Sequence, residues 1–326
     1  GPQSPASYDR NFGAEYNLAS SSNAWTGKAL YLKSVSSGAQ SGGSVYAGNL
    51  QYFTRRWLIN GQVENVGERY SAEVGYVPRR GYRRTLGTVG YTFLPTGGPV
   101  LSHGPSVTSS NFFDIHGRVA DYDQTAAYTV TFRDQSVFTT SAVAAYVRLL
   151  QPFDPTNTGK AKLETGTIHR ANYWTTKYAS KQQSVFRYGF QTTYGGYYAE
   201  GTRMNLTATL GYRFQPFVSL SGEANYTDIR LREPWGRNTF WLIGPRFDVT
   251  LTNTLYFTTF VQYNEQQKNM NVNTRMQWRY KPASDIFLVW TDNYMPNYLQ
   301  PVQSIPGNFS VRNRAVVLKW TYWWNL

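Results

Sequence analysis

The stretch VVLKWTYWWNL, Val316–Leu326, decides the class of fold. Val316, Leu318, Trp320, Tyr322, Trp324 and Leu326 fall on one face, and Val317, Lys319, Thr321, Trp323 and Asn325 on the other. A period of two marks an extended strand, whose successive side chains point to opposite faces. In water such a row would be a sticky edge. In a membrane barrel it faces lipid, and the terminal strand pairs with the first to close the sheet.

The same alternation recurs upstream. In Met204–Phe214 the apolar face is Met204, Leu206, Ala208, Leu210, Tyr212 and Phe214, with Asn205, Thr207, Thr209, Gly211 and Arg213 opposite. Met270–Tyr280, Trp241–Leu251 and Val218–Tyr226 repeat it. Each segment has roughly the 9–11 residues a tilted strand needs to cross hydrocarbon.

Composition agrees. The 326 residues include no Cys, 17% aromatics and only 16% charged residues. No apolar run reaches the ~18 residues of a membrane helix. A dyad pattern reconciles these facts, since half of each strand meets lipid and half meets water. The net charge is +13. A nucleic-acid partner is excluded by the absence of a recognisable binding motif. Two readings of the charge remain: a basic lumen that favours anionic solutes, or basic rims that touch anionic headgroups of outer-membrane lipid and lipopolysaccharide. No signal-peptide pattern opens the chain, which reads as mature.

Connections alternate in length. Asp134–Gln135, Gln215–Pro216, Thr252–Thr254 and Pro282–Asp285 read as tight turns. Pro152–Lys160, Gly195–Thr202, Arg230–Asn238 and Asn297–Asn308 read as longer loops. Short periplasmic turns and longer extracellular loops are the habit of outer-membrane barrels. The expected fold is therefore all-β, a transmembrane antiparallel β-barrel of the bacterial outer membrane with about 18 strands, 16 being the alternative. Gly1–Arg10 reads as a periplasmic lead-in and residues 11–326 as one barrel without a domain boundary. An even count places both termini at the periplasmic end, with Asn11–Leu18 as the closing partner of the last strand. Ser71–Val77, Thr85–Leu94 and Lys160–Tyr178 are further strand candidates. Gly97–Pro105 reads as a long connection where a short one is expected, and Ser34–Ser44 as a flexible turn.

Several groups are site candidates. Arg187, Arg213, Glu223, Arg246, Asp248, Arg275 and Arg279 fall on inward positions and are expected to line the pore. They form either a paired structural network or a selectivity surface. Arg79, Arg80, Arg83 and Arg84 make a basic cluster placed in an external loop, where planar guanidinium forks suit phosphate. Leu318, Trp320, Tyr322, Trp324 and Leu326 are the lipid-facing terminal row. Phe287 and Trp323 are inward aromatics that could stack on sugars. Among the histidines, His116 lies near Asp114 and Arg118 and is the one candidate for a rim acid–base pair. No metal-ligand spacing and no phosphate-binding glycine motif occurs, so no cofactor or metal is expected, nor an enzyme.

AEVGYVPRRGY (Ala72–Tyr82), FTTFVQYNEQ (Phe257–Gln266), NTRMQWRYKPASDIFLVWTDNY (Asn273–Tyr294) and RAVVLKWTYWWNL (Arg314–Leu326) resemble a family of Bacteroidota outer-membrane proteins of unknown function. NLASSSNAWTGKALYLKS (Asn17–Ser34) is a weaker match. Longer members of that family carry an N-terminal domain like the family 9 carbohydrate-binding modules. The resemblance implies a C-terminal transmembrane barrel and assigns no catalytic residue. The carbohydrate-binding-like domain and a long region before the strands are absent here, which implies a shortened member or the C-terminal part of a larger chain. In the second case another chain carrying the first strands becomes a partner. The expected role is a channel or uptake barrel for polar, anionic or carbohydrate-like solutes. The alternatives are an assembly barrel that docks other outer-membrane proteins or lipoproteins, and a rim hydrolase.

Overall fold

The computed structural model describes residues 8–37, 42–71, 79–296, 304–305 and 309–324. The strands are β1 (Asp9–Ala19), β2 (Trp25–Ser36), β3 (Ser44–Phe53), β4 (Trp57–Val66), β5 (Tyr82–Tyr91) and β6 (Val100–Asp114). They continue with β7 (Val119–Phe132), β8 (Val137–Arg148), β9 (Ile168–Ala179), β10 (Phe186–Gly196), β11 (Thr202–Phe214) and β12 (Val218–Arg230). The last are β13 (Arg237–Thr250), β14 (Leu255–Asn264), β15 (Asn269–Lys281), β16 (Ser284–Pro296), the two-residue β17 (Ser304–Ile305) and β18 (Phe309–Trp320). Every long strand pairs antiparallel with the next, and β16 pairs directly with β18. The fold is thus one all-β meander of seventeen long strands. Its length per strand follows from alternating runs ended by Gly, Pro, Asn and Asp, which turns favour.

Register shows which face is which. Directly opposed residues share a face. The ladder Leu206↔Tyr226↔Trp241 continues through Ile243↔Tyr263↔Met270 one step below, so one face is apolar from strand to strand. Only nine apolar residues are buried among those described, whereas Leu210, Leu318 and Trp320 are 59%, 70% and 69% exposed. A sheet with its large apolar groups outside and its polar groups opposite requires an apolar solvent on the first face. Hydroxyls on that face are mutually satisfied: Thr140 with Thr176 at 3.2 Å and Thr259 with Thr274 at 3.1 Å. A lone hydroxyl in hydrocarbon would be costly, and pairing removes that cost.

Aromatic pairs band both ends of the apolar face. Trp25–Tyr52 (4.9 Å between centroids) and Trp57–Tyr91 (4.8 Å) lie at one end, Tyr226–Trp241 (4.9 Å) at the other. Such girdles sit at headgroup level. Above Tyr226–Trp241, the buried Asp228 holds the guanidinium groups of Arg230 and Arg237 at 2.8–3.0 Å. Asp292 likewise holds Arg314, which lies 5.1 Å over the Trp290 ring.

Connections after odd-numbered strands run from two residues (282–283) to eight (92–99), whereas the three longest, 67–81, 149–167 and 297–308, all fall at the opposite end. These are the short-turn and long-loop ends. Several boundaries differ from the reading of the sequence. The terminal strand stops at Trp320, and Tyr322, Trp323 and Trp324 continue beyond it as exposed chain without strand pairing. Leu326 lies outside the described residues. Val100–Asp114 is a strand, so Gly97–Pro105 is connection only as far as Pro99. Alternation in this segment is masked by Gly104, whose backbone packs against the Tyr91 carbonyl so closely that any Cβ would clash. The strand expected within Lys160–Tyr178 starts only at Ile168, and the loop expected over Arg230–Asn238 shrinks to 231–236, because both flanking strands extend into it. The Thr85–Leu94 candidate is β5, shifted to Tyr82–Tyr91. Asp9 and Arg10 belong to β1, not to a lead-in. Ser71–Val77 lies outside the described residues except for Ser71.

The larger correction concerns closure. A meander of seventeen strands is odd, so β1 and β18 run in the same direction. Asp9 stands at the long-loop end and Trp320 at the short-turn end, rather than both termini together. Among the described residues β1 pairs with β2 alone, and no ladder joins it to β18.

Candidate functional site

The site is a mouth, built where the long loop 149–167 folds onto the polar face. Register places Arg203, Asn205 and Thr207 of β11 with Thr227, Asn225 and Glu223 of β12 on this face. Hydrogen bonds run along it, Asn205 to Asn225 at 3.0 Å and Asn225 to Thr207 at 2.8 Å. Thr175–Thr193 (3.0 Å) and Asn273–Thr291 (2.8 Å) continue the pattern. Polar side chains that satisfy one another are what a water-filled interior needs.

Residues 149–167 form a strap. They leave β8, and Phe153 and Leu163 bond to each other through both backbone groups. At the tip, Asp154 accepts hydrogen bonds from the Thr156 amide and hydroxyl, the Asn157 amide and the Gly159 amide, all at 2.8–2.9 Å. Asn157 and Gly159 have φ of 50° and 75°. Left-handed backbone is what Asn and Gly tolerate best, so sequence chemistry matches this turn. The fully buried Thr156 then presents its carbonyl to Asn238 Nδ2 at 2.8 Å and Gln266 Nε2 at 3.2 Å. Asn238 belongs to β13 and Gln266 to the β14–β15 turn. From β9 to β13 is four strand spacings, about 19 Å. The strap therefore lies across the mouth of the polar face. Burial raises the Asp154 pKa, but the bonds from Thr156, Gly159 and Asn157 outweigh it and hold the carboxyl below its ordinary value.

Under the strap is a pocket of about 210 Å³ lined by Phe153, His169, Tyr173, Tyr197, Tyr198 and Arg203, among others. Phe153 packs on Tyr198 with centroids 4.9 Å apart, and the Arg203 guanidinium lies 4.7 Å over Tyr197. His169 sets the geometry. Its Nδ1 accepts the Ala199 amide at 3.2 Å, which leaves Nε2–H to face the Thr167 hydroxyl at 3.0 Å. That bond pins the β10–β11 turn, where Ala199 and Glu200 both adopt positive φ. Unfavourable backbone held by tertiary bonds points to a positioned turn. Burial raises the pKa of Tyr197 and Tyr198, with Arg203 opposing, so both phenols stay neutral donors near neutrality. A flat aromatic wall, neutral hydroxyls and one guanidinium can stack on a sugar ring or hold a small anion. A larger cleft of about 840 Å³ opens between the strap and the β12–β13 hairpin. Its Ile168 and Arg170 alternate with His169 and so belong to the outward face, which puts this cleft at the rim.

The described ends of the β4–β5 connection, 67–71 and 79–81, lie beside the first strands. Tyr70 packs with Val45, Val66 and Tyr82 in a small buried cluster. Arg79 pairs with Asp121 at 3.0 Å and stacks 5.1 Å over Phe112. The expected external basic cluster is thus divided: Arg79 and Arg80 lie in the connection, whereas Arg83 and Arg84 are β5 residues on opposite faces. Arg84 lies over Phe112 at 5.1 Å.

The seven inward candidates do share the polar face. Arg187 stands beside Gly211 and Ser221, Arg213 beside Ser219 and Asp248. Most gather toward the short-turn end, away from the mouth. Three are in ion pairs there, Arg246 with Asp248 at 2.9 Å and Arg279 with Asp285 at 3.3 Å. Arg275 instead bonds the Gln277 amide oxygen at 2.8 Å and lies 4.6 Å over Phe287. Arg213 donates to the Gln182 carbonyl at 3.3 Å. Phe287, expected as a sugar platform, is therefore covered by a guanidinium. His116 and Asp114 do not form an acid–base pair. Both Asp114 oxygens are taken by Arg118, Arg148 and the amides of His116 and Arg118. No group of three or more metal-ligating side chains occurs among the described residues.

Inward alternation found the short-turn charges but missed the mouth. Phe153, Tyr197 and Tyr198 lie in connections, where period-two reasoning says nothing. The one available signal was the aromatic density of TTYGGYYAEG at residues 192–201.

No family model and no curated protein matches this sequence. Among solved structures, the chain is similar to the siderophore receptor PirA from Acinetobacter baumannii at 8% identity and a TM-score of 0.39, covering 97% of this chain and 71% of that one. A likeness that weak adds nothing to what the strand registers already establish.

Proposed function

We propose that the chain is the wall of a bacterial outer-membrane barrel that takes up polar solutes. The observation that carries this is the strap, residues 149–167, tied by Thr156 to Asn238 and Gln266 across a polar face that backs onto an apolar one. A loop folded across the mouth of a polar interior narrows and shapes the path through it. Solutes meet the aromatic pocket with Arg203 first, and the guanidinium groups of Arg187, Arg213 and Arg275 at the short-turn end afterwards. This order suits anionic or carbohydrate-like solutes: aromatic faces hold a ring, and fixed positive charge draws an anion inward. The outer membrane is the bilayer that spanning β-sheets of this strand number occupy.

The test uses protein extracted in mild detergent from bacterial outer membranes together with whatever polypeptide it holds, reconstituted in planar bilayers. Anion-preferring conductance steps are expected, reduced by a small charged sugar at the long-loop side. A sealed, silent assembly refutes the reading.

A further inference from the structure

β1 and β18 each carry one open edge. β1 pairs only with β2, and β18 pairs with β16 along one edge. On its other edge β18 meets only β17, at Phe309 and Ser310 at the long-loop tip. From Val311 to Trp320 that edge has no strand partner among the described residues. An edge this long turns roughly five N–H and five C=O groups outward, and in hydrocarbon each unpaired group costs several kcal/mol. No Pro interrupts β1 or β18, and their lipid-face positions include Phe12, Tyr16, Leu18, Val316, Leu318 and Trp320, while the charges of Glu15 and Lys319 alternate onto the polar face.

Direction restricts what can fill the gap. Both edge strands run from the long-loop end to the short-turn end, so any strand antiparallel to both runs the other way. A second copy of this sheet does not qualify. Two copies inserted with the same orientation present β1 of one to β18 of the other, and those are parallel. One strand, or any odd number, restores an even count, antiparallel pairing throughout and both ends of the sheet on the short-turn side. The polypeptide enters β1 at the long-loop end, so a strand hairpinned onto β1 there necessarily arrives with the required direction.

We infer that the gap between β1 and β18 is the seat of an eighteenth spanning strand that runs antiparallel to both. Its lipid-face residues are apolar, because they stand between Tyr16 and Leu18 on one side and Leu318 and Trp320 on the other. The inference rests on the membrane reading of the apolar face and goes beyond it by naming the missing element and its direction.

The chain has no cysteine, so introduced pairs report contacts cleanly. The 326-residue chain is refolded into lipid vesicles without other polypeptide. The pair Y16C/A29C, which faces across β1 and β2, reports that the sheet has formed, and protease protection reports insertion. Pairs scanned between Phe12–Leu18 and Val311–Leu318 are expected to give no disulfide, and the vesicles to show no stable conductance steps. The same chain with a copy of Ser284–Pro296, the native neighbour of β18, fused ahead of Asp9 through a four-residue turn is expected to crosslink to β1 and β18 and to close. A set of direct β1–β18 disulfides at constant offset in the unfused chain means parallel closure and overturns the inference. So does failure of this fusion and of a second one carrying Trp25–Ser36 to crosslink on both sides. Failure of the membrane reading looks different: the β1–β2 disulfide forms without protease protection.

Discussion

Replacing Asp154 by Ala tests whether the strap is held by its own turn. The carboxylate organises residues 154–159 through four hydrogen bonds of 2.8–2.9 Å. They are not equal in cost. Asn157 and Gly159 are exposed, so their amides re-pair with water. Thr156 is fully buried; its hydroxyl keeps Thr158 at 2.9 Å, but its amide loses its only described acceptor. A buried amide left without a partner costs ~1–3 kcal/mol. Taking about 2 kcal/mol, the closed strap loses about 30-fold in population against opened forms. Hydrogen exchange of the extracted protein in mild detergent reads this directly. The Thr156 and Leu163 amides should exchange about 30-fold faster in Asp154→Ala, while amides in the β7–β8 ladder keep their rates. In planar bilayers the variant should show noisier, less restricted conductance. A change in exchange under ~3-fold at both amides refutes the idea that Asp154 holds the strap over the mouth, given the magnitude above.

Further outcomes follow from the same geometry. Because the Asp154 pKa is depressed in the folded state, its contribution is fully present above the ordinary carboxylate pKa of ~3.9 and is lost as pH falls through the lower folded value; exchange protection at Thr156 should be flat from neutral down to about pH 5 and fall only in the acid range. Asn238→Ala with Gln266→Ala removes both donors to the Thr156 carbonyl and should loosen the strap by roughly 1–3 kcal/mol without changing its internal turn, seen as faster exchange at Thr156 but intact Phe153–Leu163 bonds. The two faces separate in a paired test: Leu210→Arg, on the lipid face, should destabilise by ~2–4 kcal/mol in denaturant titrations in vesicles, and Thr209→Arg, on the polar face, by far less. Equal effects would mean the faces are assigned wrongly. Arg187→Ala, Arg213→Ala and Arg275→Ala combined should shift the reversal potential in a salt gradient toward cations, leaving single-step insertion unchanged.

Much of this molecule was legible from pattern because a spanning sheet has no hidden core. Each strand reports its faces by itself: Met204–Phe214 places Leu210 against lipid and Thr209 inside in the sequence as in the ladders. Turns with Asp, Asn, Gly and Pro likewise mark short connections locally, as at 133–136 and 282–283. The polar-face positions of Arg187, Arg246 and Arg275 follow from the same parity.

What the sequence by itself determined is therefore the all-β class, the apolar and polar faces, and the end that carries the long loops. These depend on neighbours within a few residues. Two properties needed the tertiary structure. The mouth pocket joins Phe153, His169, Tyr198 and Arg203 from four separate segments, and the strap reaches Asn238 and Gln266 across 82 and 110 residues of chain. No local period encodes such contacts. Closure depends on the parity of a count over the whole chain, so one strand more or fewer reverses the direction of Val316–Trp320 relative to Asp9–Ala19. The terminal strand announces a membrane sheet, and only the assembled ladder shows that from Val311 to Trp320 its outer edge pairs with no strand among the described residues.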